Sequence, residues 1–168
     1  MLETLFKHMH WADAVVWHAI YASSAAMQDA RVRELQYHLH MVQHAFLSVW
    51  RNKAVNLPKI SAFADLKALS GWGQDYHDRA GVFLKKVTHP LLNEPVNVPW
   101  SGDFEKALGS PPEAPTLAET MVQVASHSTH HRGQIVARLR ELGAEPLLVD
   151  FIIWAWLGKP QPDWPQCG

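Results

Sequence analysis

Cysteine is nearly missing from this chain: Cys167, next to the final Gly168, is the only one among 168 residues. An internal disulfide and a cysteine metal cluster are therefore excluded, and the scarcity suits a reducing, cytoplasmic compartment. An excess of one charge is also missing. Fifteen Lys and Arg face sixteen Asp and Glu, for a formal net charge of −1. Basic residues cluster only briefly, at Lys85-Lys86 and Arg138/Arg140, so nothing marks a surface for nucleic acid. Long apolar runs are absent too. The first twenty residues interleave His8, His10, Asp13 and His18 with apolar positions, unlike a signal peptide, and no stretch reaches membrane-spanning length. No glycine-rich phosphate loop, nucleophile elbow or Cys–His pair occurs, which leaves nucleotide binding and covalent serine or cysteine catalysis without support.

What the chain does have is eight tryptophans, eleven histidines and 48% hydrophobic residues. Its length is that of one domain, 1–168, able to bury about 70% of its unfolded surface. The tryptophans read first as core, with an aromatic-lined pocket as the other use.

Helical periodicity dominates. Leu2, Leu5, Met9, Ala12, Val16 and Ile20 mark a helix over 2–22, and Leu35, Leu39, Val42, Phe46 and Val49 mark another over 32–51. A third is expected from an N-cap at Ser61, with Asp65 in its first turns and Val87 near its end; Gly71 and Gly73 suggest a kink or a close helix approach. Residues 88–115 are rich in Pro and Gly, a long connection in which 95–100 alternates like a short extended segment or hairpin. The capping box Thr116/Glu119 opens a fourth helix over 116–142, and Gly143 closes it. Pro146 opens a shorter helix through Trp156. The pattern is all-α: a four-helix bundle with a long crossover before the fourth helix and a short C-terminal helix.

Within the fourth helix lies Ser126-His127-Ser128-Thr129-His130-His131-Arg132-Gly133-Gln134. Residues four apart on a helix share a face, so His127 and His131 can address one ion, whereas His130 points elsewhere. Two packed, hydrogen-bonded core histidines would show the same spacing, so a third ligand is required. On a 100° wheel His38 falls near the centre of the second helix's apolar stripe. His40 faces away and His44 lies almost opposite, which reads both as solvated.

Tyr37-His38-Leu39-His40-Met41-Val42-Gln43-His44-Ala45-Phe46-Leu47 and His127-Ser128-Thr129-His130-His131-Arg132-Gly133-Gln134-Ile135 resemble the second- and fourth-helix signatures of the DinB/YfiT-like metalloenzymes. Leu139 to Pro146 and Asp150 continue the likeness, and Trp11-Ala12-Asp13 is compatible with it, so it spans essentially the whole chain. The resemblance implies a four-helix bundle, frequent homodimers, and a divalent metal on His38, His127 and His131. For some members it implies thiol-dependent transfer or isomerisation with a low-molecular-weight thiol and a small-molecule substrate. Gln43 stands where relatives often carry Glu, so no acid or base role is assigned there.

Three neutral imidazoles would leave a Zn²⁺ or Ni²⁺ ion, or Fe²⁺ or Cu²⁺, its full charge and an open position for water or a thiol. Hydrolysis and thiolate transfer both remain open, as does a non-catalytic module in which the metal stabilises the bundle or a dimer. The zincin route is excluded, because Ser128 stands where His-Glu-x-x-His carries its base. Gln134 either hydrogen-bonds a ligand or is surface. Gly133 admits a neighbouring helix or is merely tolerated. Arg132 reads as a solvated arginine, or else faces an anionic substrate. His8 reads as packed and hydrogen-bonded, while His10, His18, His77 and His89 have no partner that spacing identifies.

Overall fold

The computed structural model describes residues 1–165; Cys167 lies outside them. The described residues contain eight α-helices and two 3-10 turns, with one isolated bridge, Pro95 to Thr116, in place of a hairpin. The helices are α1 (Leu2–Tyr21), α2 (Ser24–Gln28), α3 (Ala30–Trp50), α4 (Leu66–Leu84), α5 (His89–Leu92), α6 (Glu105–Leu108), α7 (Leu117–Glu141) and α8 (Phe151–Trp156). The all-α class follows the periodicity.

Local chemistry sets the ends. Thr116 accepts from the Glu119 amide while the Glu119 carboxylate accepts from the Thr116 amide, completing the capping box of α7. Gly143, with φ +88°, takes the left-handed conformation beyond its last turn. The N-cap of α4 is Asp65, which accepts from Ala68, and Ser61 belongs to the preceding 3-10 turn. Asp150 rather than Pro146 precedes α8.

Four long helices, α1, α3, α4 and α7, close around the core in the order α1–α7–α3–α4. Side-chain pairs give their directions. Tyr37 meets Trp72 and Trp50 meets Phe83, so α3 and α4 run parallel. Asp29 meets Arg138 and Trp50 meets Thr120, so α7 runs against α3. The segment that travels the length of the bundle is therefore 51–65. It is held along α3 by Tyr37 donating to the Pro58 carbonyl and Arg33 donating to that of Phe63. The longer connection 85–116 stays at one end, which moves the crossover from before α7 to before α4. Proline and glycine content reports irregular backbone, not the distance a loop covers.

The apolar core has two main layers. One holds Trp17, Ile20, Leu35, Leu39, Leu69, Ile135 and Leu139; the other holds Phe6, Met9, Phe46, Trp50, Tyr76, Met121 and Val124. A small third cluster seats Trp154 of α8 on Trp11 and Ala12. Between the two main layers each long helix contributes polar residues, and that belt positions the site.

Candidate metal centre

His38 of α3 and His127 and His131 of α7 meet at the α3/α7 seam, each offering one nitrogen, with all three nitrogens within 4.8 Å of one another. Ring centroids are 4.3 Å apart for His127–His131, 4.5 Å for His38–His131 and 5.2 Å for His38–His127. All three rings are half-buried, and His130 is exposed. The i,i+4 spacing thus does what it promised for the pair, and α3 supplies the third ring.

Burial, reinforced by the neighbouring imidazoles, pushes His127 down to about 4, and burial also lowers His38 and His131. Near neutrality the trio is uncharged, the form in which an imidazole can ligate a cation. Gln134 sets one tautomer: His131 Nδ1 donates to Gln134 Oε1 at 2.9 Å, leaving Nε2 with its lone pair. The amide NH₂ of Gln134 in turn donates to His130 Nε2 at 3.1 Å. Buried Nδ1 of His127 has no hydrogen-bond partner among the described residues, an unsatisfied atom that a cation or its bound water would satisfy. The donor set is all nitrogen, suited to borderline divalent ions such as Zn²⁺ and Ni²⁺.

Behind the trio runs a buried network drawn from all four long helices. Asp13, 3% exposed, accepts from Arg132 at 2.5 Å and from His77 and Gln43 at 2.9 Å each. Gln43 also donates to Ser128 at 3.1 Å and accepts from His40 Nδ1 at 2.8 Å. His40 Nε2 accepts from the Trp17 indole at 3.0 Å, so both its nitrogens are committed to the neutral ring. Despite its burial, Asp13 is held well below the usual carboxylate range by the Arg132 guanidinium and the His77 hydrogen bond.

Several sequence readings change here. His40 and His44 are buried rather than solvated: His40 is fully enclosed, and His44 stacks on Trp72 and bonds its carbonyl at 2.9 Å. Both α7 and α4 pack against α3, so its buried face is wider than one stripe, and His38 lies at the edge of that face. Arg132 is neither solvated nor open to substrate but paired with Asp13. A side chain at Gly133 would meet open space, so no helix approaches there; the close approach is at Gly73, against the His40 ring. His8 is packed as read, bonding the Val149 carbonyl at 2.9 Å. His18 bonds the Asp163 carbonyl, His77 bonds Asp13, and His10 stacks on His77. Part of the network had a signal in the sequence, since Asp13 and Arg132 lie beside the apolar stripes of their helices, but nothing in that pattern pairs them.

Fold and site together define an all-α protein with a three-histidine group suited to one divalent cation. The chain belongs to the DinB family, whose model matches residues 1–163. No curated protein matches it. No helix among the described residues is long and apolar enough to cross a membrane.

Proposed function

We propose that this protein is a metal-dependent enzyme in which His38, His127 and His131 hold a divalent ion, Zn²⁺ or Ni²⁺ with Fe²⁺ as a further possibility, for chemistry on a small-molecule substrate. The observation that carries this reading is the convergence of three neutral imidazoles from two helices within 4.8 Å. When bound, such an ion supplies Lewis acidity and lowers the pKa of water or a thiol in its remaining position. The protein's part is positional. Gln134 holds the His131 tautomer, and the Asp13–Arg132 pair anchors the α7 turn that carries His131 against α1. Neither acid nor base is assigned; the reaction classes that suit the site are hydrolysis and transfer or isomerisation that depends on a low-molecular-weight thiol. A cytoplasmic, homodimeric protein suits this chemistry.

Metal content of protein purified without a histidine tag tests the site. Wild type is expected to carry about one equivalent of metal, with His38→Ala and His127→Ala carrying little; undiminished metal in both variants rejects the assignment. Turnover of thiol-plus-electrophile pairs or of esters and amides, abolished by chelation, supports the enzyme. Metal-dependent stability with no turnover across both panels would favour a metal-stabilised binding module.

A further inference from the structure

The histidine trio occupies the α3/α7 seam, and on the opposite side of the bundle, where α1 and α4 pack most sparsely, a cavity of about 470 Å³ opens. That size suits a small organic ligand. Phe6, Leu84 and Val87 give it an apolar wall. His10 and His77 form its polar wall, with rings stacked 4.4 Å apart and 1° from parallel. The Nε2 of His77 is committed to Asp13, but that of His10 is buried without a hydrogen-bond partner among the described residues.

Charge at the mouth favours an anion. Glu3 and Lys7 pair with each other at 2.8 Å, whereas Lys85 has no ion pair among the described residues, so one positive charge is left over. The negative charge behind His77, on Asp13, is balanced by Arg132. Gly81 keeps the cavity open. It lies inside α4, where glycine weakens a helix, yet a Cβ there would meet nothing within 4 Å. Its small size is thus not needed for packing.

We propose that this pocket is a second binding site, for a small monocarboxylate with an apolar tail. Its carboxylate pairs with Lys85 at the mouth, and its tail lies along Phe6, Leu84 and Val87. The site shares no residue with the histidine trio and does not rest on metal binding.

Hexanoate titrated into the full chain by calorimetry tests it, with hexanol as the neutral probe. Saturable hexanoate binding is expected, with hexanol about tenfold weaker or worse. Gly81→Leu narrows the cavity and should weaken hexanoate by about tenfold or more while its melting temperature stays at or above that of wild type. Lys85→Gln, at an exposed position, should weaken it severalfold. In His127→Ala the affinity should be unchanged, which separates this pocket from a carboxylate held at the trio. Absence of saturable binding, equal binding of hexanol, binding that survives Gly81→Leu, or binding lost in His127→Ala would each overturn the proposal.

Discussion

Arg132 donates to Asp13 at 2.5 Å across 119 positions of sequence, and both side chains are almost fully buried. The pair joins α7 to α1 at the level of the histidine trio, one residue from His131. Its desolvation cost is offset by the further bonds Asp13 accepts from His77 and Gln43.

Removing one partner should therefore be far worse than removing both. Asp13→Ala or Arg132→Ala strands a buried charge and should cost about 3–5 kcal/mol in urea unfolding, whereas Asp13→Leu combined with Arg132→Met should cost less than either single loss. Additive losses in the double variant would show that the two residues act independently.

Gln134 should matter to metal affinity and not to folding. It is half-buried, and its hydrogen bond to His131 Nδ1 orients that ring. Gln134→Leu should lower Zn²⁺ affinity by about 10–100-fold in a competition titration. Because the side chain lies outside the core, unfolding free energy of the metal-free protein should change by no more than about 0.5 kcal/mol. Gln134→Glu, which keeps an acceptor, should retain most of the affinity.

Two glycines of α4 should respond oppositely to alanine. At Gly73 a Cβ would collide with His40, whose nitrogens are fixed by Trp17 and Gln43, so Gly73→Ala should destabilise by about 1–3 kcal/mol or more. At Gly71 a Cβ meets nothing, and Gly71→Ala should stabilise by up to about 1 kcal/mol. Thermal unfolding of the two variants distinguishes them by sign.

Acid should weaken the fold partly through His10. Burial and the stacked His77 push it down to about 3, with Asp13 opposing; Glu3, Lys7 and Lys85 border the same cavity. The unfolded chain takes up this proton near pH 6.5, so from there down to about 3 the unfolded state binds more protons and stability falls as pH falls. His10→Asn should remove up to about 1.4 kcal/mol per pH unit of that slope between pH 6 and 4. An unchanged slope in the variant would mean that His10 titrates normally.

The sequence carried the features that are local. A capping box at Thr116/Glu119, a left-handed residue at Gly143 and two histidines four apart on α7 are each written within a few positions. The His38 expectation rests on a stripe and a resemblance; the structure groups His38 with His127 and His131, yet puts it at the edge of the buried face of α3 and not near its centre. The enclosure of His40, the Asp13–Arg132 pair and the route of 51–65 depend on which helices are neighbours and in which direction they run. Periodicity describes one helix at a time, so it holds no information about any of these.

The polar belt between two greasy layers also acts as a ruler along the bundle axis. A slip of α7 past α3 by one turn, about 5.4 Å, would leave Arg132 opposite aliphatic neighbours and take His127 and His131 out of reach of His38. Any sequence change that loosened this vertical alignment would therefore disperse the ion-gripping nitrogens without touching them.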